Sequence, residues 1–499
     1  MNKKPSIILT VSLLIFLFIQ TESFAQSRTA AQPRLEPDPK ALEYHRIVSG
    51  KSTYSWTELS EISLWASGDT ALSNMQKISN AVSALNNSVD LPSSLKERAE
   101  YILNYMHTNI LKTYSLYQTR VDTIFTNGRF NCVSSAVLYT ILCRSAGINT
   151  SGVMTREHAF VIVHIDGHNI DVETTNRYGF DPGSRREFHD QFGQLTGFSY
   201  VPAQNYRDRQ TINQIELISL IFINRITEHE RANRFAEAVP VAIDRAVLLT
   251  GNKSSDNAPE STDTIFENPQ KSLTDKLLNY GVSLIKSNRE EAALSWIAAA
   301  SEKYADPARW QELILTAVNN RITRFIKEKK PAEARNFLEN NRLHLTQENY
   351  SHLDALMTDA ELLSRAQNIR TAAEGEAVIN DIDIAAKNKK LAERRAAEIL
   401  TFAIQKTAVI LSSPPEKNWR AAVLFLENAL LRFGANRELE QNLQTYRGNL
   451  AVDYHNRFAA EWNKGNAEEA KRILNEGLAE FPGNRQLTAD MEIVNKNSR

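Results

Sequence analysis

The spacing of apolar residues divides the chain into stretches with different periods. From residue 41 to about Met106 the pattern is helical, with Leu95 to Tyr105 its clearest amphipathic piece. From Cys132 to Ser145, apolar residues at Val133, Ala136, Val137 and Ile141 keep the i, i+3, i+4, i+8 spacing of a helix with one buried face. Asn131 suits its N-cap, and Gly147 stands where a left-handed C-terminal cap is favoured. Strands follow: His158 to Ile165 is rich in β-branched residues, Asp166-Gly167 is a two-residue hairpin signal, and Asn169 to Thr175 predicts the antiparallel return. In that register Ile165 faces His168, Ile162 faces Asp171 and His158 faces Thr175. Alternation then sets His158, Asp171 and Glu173 on one face, with Glu173 the nearer, on the diagonal from His158.

The remainder is helical in pattern. Leu217 to Leu249 predicts a helix pair broken at Arg231 to Asn233, and residues 251–270 form a polar linker rich in Ser, Asn, Asp and Pro. Beyond it, Ala293 with Ala300, Ala422 with Ala429, and Ala470 with Gly477 and Pro482 place small residues seven apart across a helix pair. That spacing resembles tetratricopeptide-type repeats, which stack into a solenoid and present a groove to a peptide or protein. Asn320 to Leu338 is a further unit, and Ala373 to Ser412 is helical without a clear repeat boundary. Charge runs such as Lys387 to Lys390 read as solvated helix faces.

At the N-terminus, Lys3 and Lys4 precede an apolar run from Ile7 to Ile19, and Ser23-Phe24-Ala25 offers small residues for cleavage. This is the pattern of an export signal with a mature start at Gln26. No later run is long and apolar enough to span a bilayer, and Leu217 to Ile223 belongs to a helix core. The expected organisation is therefore a signal at 1–25, a flexible leader at 26–40, a mixed α+β domain at 41–205, a helical pair at 206–250, the linker, and helical repeats at 271–499. A formal net charge of −1 with no basic stripe gives no reason to expect nucleic acid. The pattern contains no signal for oligomeric state.

Export makes the cysteine count informative, because there are only two, Cys132 and Cys143. On one helix they lie about 16 Å apart at about 1.5 Å per residue, too far for a disulfide. Cys143 reads as a small buried hydrophobe. Cys132, at the helix start, lies where unpaired backbone N–H groups and the helix dipole stabilise a thiolate and can donate to an oxyanion. His158 would move the proton, and an acid, Glu173 or alternatively Asp171, would orient the imidazole. Gln118 is a candidate side-chain oxyanion donor. No cofactor or metal is expected: His158 and His164 on one extended strand lie about 20 Å apart and cannot share an ion.

These residues resemble the transglutaminase-like branch of the papain-type thiol enzymes over about Lys96 to Pro182. The resemblance rests on Gly128-Arg-Phe-Asn-Cys132 opening a helix that ends Arg144-Ser-Ala-Gly-Ile, on His158-Ala-Phe-Val, and on Val172-Glu173-Thr-Thr. It implies a papain-type α+β fold and a Cys132-His158-acid triad acting on amide bonds by hydrolysis or acyl transfer. The family's aspartate, variable residue and threonine put the acid at Glu173 and match Thr175, with glutamate in place of the usual aspartate. The family's His-Ala-Trp stands here as His-Ala-Phe, and the loop from Cys132 to His158 is short for the family. The competing expectation is a noncatalytic binding protein whose helical repeats carry the function.

Overall fold

Local capping chemistry starts many of the helices. The computed structural model describes residues 32–69, 72–184, 188, 209–252, 268–415 and 417–497. The export signal and residues 26–31 of the leader lie outside the described residues, as does most of the linker. The chain divides into two units, Met1–Lys276 and Leu277–Arg499. Its described part is mixed helix and sheet.

The first unit opens with α1 (Pro39–Val48), α2 (Trp56–Ala66), α3 (Met75–Asn86) and α4 (Leu95–Asn109). Then come β1 (Thr113–Tyr114), α5 (Val121–Asn127), β2 (Arg129–Phe130) and α6 (Cys132–Ser145). Strands β3 (Asn149–Met154), β4 (Ala159–Ile165), β5 (His168–Val172) and β6 (Gln210–Ile212) precede α7 (Gln214–Arg231) and α8 (Phe235–Thr250). Asp38 accepts from the Lys40 amide at the start of α1, while Ser55 with Glu58 and Asn213 with Glu216 form reciprocal capping boxes on α2 and α7. The leader's described end is anchored rather than free. Arg34 pairs with Asp244 of α8, whose other oxygen accepts from the Asp38 amide at 2.8 Å.

Helix α6 is the centre of this unit. It was expected to bury one face, yet every residue from Cys132 to Cys143 is buried, because α2, α3, α4, α5, α7, β3 and β4 surround it. Polar positions survive there by local bonding: Ser135 Oγ donates to the Asn131 carbonyl at 2.9 Å, and Tyr139 OH donates to the Ala99 carbonyl at 2.9 Å. Leu138, Ile141 and Leu142 are fully buried, each contributing about 1.5–3 kcal/mol relative to exposure.

The larger sheet has the order β5-β4-β3-β6 and is antiparallel throughout. The hairpin forms at Asp166-Gly167, both with positive φ, and pairs Ile165 with His168 and Ile162 with Asp171, as the turn signal predicts. The pairing ends at Val161 with Val172. The expected rung between His158 and Thr175 does not form, because the chain curls away at Glu173, whose amide donates to the Gly179 carbonyl at 2.8 Å. In β3, a Cβ on Gly152 would lie 3.0 Å from Leu217 Cβ, so glycine lets α7 approach the sheet. The helix pair expected as a separate element at 206–250 is instead part of this unit: α7 packs on α2, α6 and β3, and α8 on α1. Its break falls at Ala232–Arg234, with Asn233 at φ 56°.

The boundary between the units falls inside α9 (Pro269–Lys286). Beyond it the described elements are helical, from α10 (Glu290–Lys303), α11 (Pro307–Lys327), α12 (Pro331–Asn340) and α13 (Gln347–Gln367) to α14 (Ala372–Lys387), α15 (Glu393–Ser412) and α16 (Trp419–Phe433). The last are α17 (Arg437–Asn463), α18 (Ala467–Glu480) and α19 (Arg485–Asn497). From α10 onward each helix packs on the next, and α11, α13, α15, α17 and α19 also pack successively on one another. The small residues seven apart do not bridge a helix pair. Ala293 and Ala300 both lie on α10, Ala422 and Ala429 on α16, and Ala470 and Gly477 on α18, two turns apart on a buried face. Gly477 shows their role: a Cβ there would meet the Tyr454 ring at 3.0 Å.

Candidate functional site

The start of α6 is built by the segment just before it. Asn131 Oδ1 accepts from the Ser134 amide and Ser134 Oγ from the Asn131 amide, each at 3.0 Å. Asn131 Nδ2 donates to the Leu116 carbonyl at 3.1 Å, and Ser134 Oγ reaches the Gln118 carbonyl at 3.0 Å. The parallel bridge of β1 and β2 pairs Tyr114 with Phe130, two residues ahead of Cys132. The strand carrying Tyr114 and the loop after it are thus clamped to the helix that presents the thiol. Cys132 occupies the first helical position, where the Cys132 and Val133 amides have no intrahelical acceptor.

His158 ends the turn between β3 and β4. The Thr155 amide donates to its carbonyl at 2.8 Å, and its own amide donates to Thr155 Oγ1 at 3.1 Å. The ring stacks over Phe160, and Nε2 donates to Glu173 Oε2 at 2.6 Å. Glu173 is fully buried. Its Oε1 accepts from the Thr175 amide at 3.1 Å and from Thr175 Oγ1 at 2.7 Å, the local bonding that curls the chain out of β5. With Nε2 committed to Glu173, Cys132 lies close enough to the ring for its charge to act on His158. Burial pushes the imidazole towards neutrality, but the Glu173 carboxylate and Cys132 outweigh it and hold the pKa of His158 well above its usual value.

The structure thus brings Cys132, His158 and Glu173 together and separates the alternative acid from them. Asp171 forms a two-pronged ion pair with Arg209, whose Nη1 donates to Oδ2 at 2.6 Å and whose guanidinium lies over the Phe160 ring. The Gln118 side chain donates to the Arg120 carbonyl at 3.2 Å, which engages the amide expected to serve an oxyanion. Cys143 is fully buried and unbridged, and burial pushes its thiol far above the normal thiol range, so it is chemically inert.

Three supporting residues escaped the sequence reading. Thr174 is buried between the acid and Thr175. Its Oγ1 meets Ser135 Oγ of α6 at 2.8 Å, and its carbonyl accepts from His107 Nε2 of α4 at 3.1 Å. Burial pushes His107 down to about 4, so it stands neutral as the donor that pins this carbonyl. The repeated Thr174-Thr175 after Glu173 was the available signal for Thr174. Nothing in the pattern marked His107, and Thr155 was legible only as a turn residue.

Among the described residues no cluster suits a metal ion and no helix is long and apolar enough to cross a membrane. The chain matches no family model and no curated protein.

Proposed function

We propose that the first unit is a transglutaminase-like, papain-type thiol enzyme that acts on amide or peptide bonds through Cys132, His158 and Glu173. The observation that carries this reading is His158, bound through Nε2 to a fully buried carboxylate and close enough to the thiol at the start of α6 for Cys132 to act on its charge. The Cys132 thiolate would attack the carbonyl carbon of the substrate. The electron pair displaced onto oxygen returns to expel the amine, which takes its proton from His158, and a thioester remains on Cys132. Water or a second amine, losing its proton to His158, then releases the acyl group and regenerates the thiol. The N-terminal pattern supports export to the periplasm or the extracellular space, and the stacked helices of the second unit support recruitment of a protein or peptide substrate.

The test is the iodoacetamide alkylation rate of Cys132 against pH in the full chain, beside His158→Ala and Cys132→Ala. Rapid alkylation at about pH 6 to 7 that slows sharply in His158→Ala is the expected outcome. A thiol that titrates near about 8.5 and ignores His158 would overturn the enzyme reading in favour of a noncatalytic binding protein carried by the helical repeats.

A further inference from the structure

Tyr114 stands out among the groups around Cys132 because its hydroxyl has neither solvent nor a hydrogen-bond partner among the described residues. The residue is half-buried, but its hydroxyl is buried and unpaired; such a group costs stability and is uncommon unless something else uses it. The strand fixes its position: Tyr114 pairs with Phe130, and its ring meets the Phe130 ring edge-on at 5.9 Å. Phe130 leads directly into the N-cap Asn131 and Cys132, so the phenol sits beside the helix start that holds the thiol.

The electrostatics fix its protonation. Burial, then the negative charge available to Cys132, then that of Glu173, all push the phenol upwards, so it keeps its proton throughout the range in which the thiol reacts. It is therefore a donor in need of an acceptor, next to a nucleophile. An acceptor suited to such a donor is the oxygen that becomes negative when a thiolate adds to a carbonyl.

We propose that Tyr114 is a catalytic oxyanion donor, whose hydroxyl bonds the carbonyl oxygen of the tetrahedral adduct on Cys132 in the place first considered for Gln118. This rests on the thiol-enzyme reading above. It gives the adduct a side-chain donor to add to the Cys132 and Val133 amides at the start of α6. A phenol that donates only after addition stabilises the transition state more than the resting thiol.

The experiment compares two reactions of the same sulfur in the full chain, wild type against Tyr114→Phe. Acylation by p-nitrophenyl acetate passes through an oxyanion: the thiolate adds to the carbonyl carbon, the adduct collapses, p-nitrophenolate leaves and acetyl-Cys132 remains. Alkylation by iodoacetamide displaces iodide at a saturated carbon and forms no oxyanion. With Cys132→Ala as the blank, Tyr114→Phe is expected to slow acylation by about 10²–10³-fold, the usual effect of removing one such donor. Alkylation should stay within about twofold, and the melting temperature should not fall, since the lost hydroxyl had no partner. Unchanged acylation, or an equal loss in both reactions, overturns the role of Tyr114. A wild-type thiol that alkylates slowly and ignores His158→Ala overturns the thiol-enzyme reading, and the Tyr114 role falls with it.

Discussion

Replacing Glu173 by Gln keeps the shape of the site and removes its charge. The carboxylate accepts three hydrogen bonds, from His158 Nε2 on one oxygen and from the Thr175 amide and hydroxyl on the other. An amide has one acceptor oxygen. The Thr175 amide cannot turn away, so the Gln oxygen must serve it and the NH₂ group must face His158. The imidazolium then loses its counter-charge and confronts another donor. Loss of a buried bond to a charged group costs about 1.5–3 kcal/mol. The sign with pH follows from the raised folded-state value of His158. That stabilisation is fully present below the ordinary imidazole value of about 6.5 and is lost as pH rises through the folded value. In Glu173→Gln, only Cys132 is left to oppose the burial that favours a neutral ring, so protonating His158 gains far less and the variant lacks the stabilisation that the wild type holds on the acid side. The stability gap between wild type and variant should therefore be largest below about pH 6.5 and shrink as pH rises through the raised folded-state value. Pulse alkylation of Cys143 across a urea series reads this directly, because that thiol is sealed in the first unit until it opens. A gap that stays constant with pH, or that grows on the alkaline side, would refute the buried imidazolium.

Two further outcomes follow from the loop that carries the acid. In wild type, the depressed value of His107, about 4, means that the unfolded state binds its proton first as pH falls. Stability should decline between about pH 6.5 and about pH 4, and His107→Gln should remove that part of the slope in the same urea assay. Gly179 has no room for a side chain: a Cβ there would lie 1.9 Å from the Glu173 carbonyl oxygen. Gly179→Ala should cost about 1–3 kcal/mol and slow Cys132 alkylation at neutral pH as the loop shifts, whereas normal stability and reactivity would show that the loop does not position the acid.

What was legible in the sequence was local in cause. Asn131 and Ser134 lie three residues apart and start α6 by themselves, while Asp166-Gly167 sets the hairpin register that places Ile162 opposite Asp171. The preference for Glu173 over Asp171 came from that register, even though the last predicted rung is missing. What was not legible depends on partners far along the chain. Strand β3 carries Asn149, Thr150, Ser151 and Gly152, a poor strand signal, and is held by β4, β6 and the approach of α7. The burial of α6 on all sides could not be read from its own spacing, since five helices and two strands of the larger sheet from both ends of the unit cover it. The charge of Asp171 is answered by Arg209, which no periodicity places there.

The loop that bears Glu173 has supports of its own. Glu173 is fixed by the next residues, through Thr175, and by closure of its amide onto Gly179. Thr174, between them, ties the same loop to α6 through Ser135 and to α4 through His107. The helix that bears the thiol is therefore bonded to the loop that bears Glu173 by a contact separate from the bond between His158 and Glu173. Its geometry does not depend on the bond between His158 and Glu173, so weakening that bond should change protonation before it changes position. This is the reason Glu173→Gln tests charge, whereas Gly179→Ala, which forces the loop backbone itself to move, tests placement.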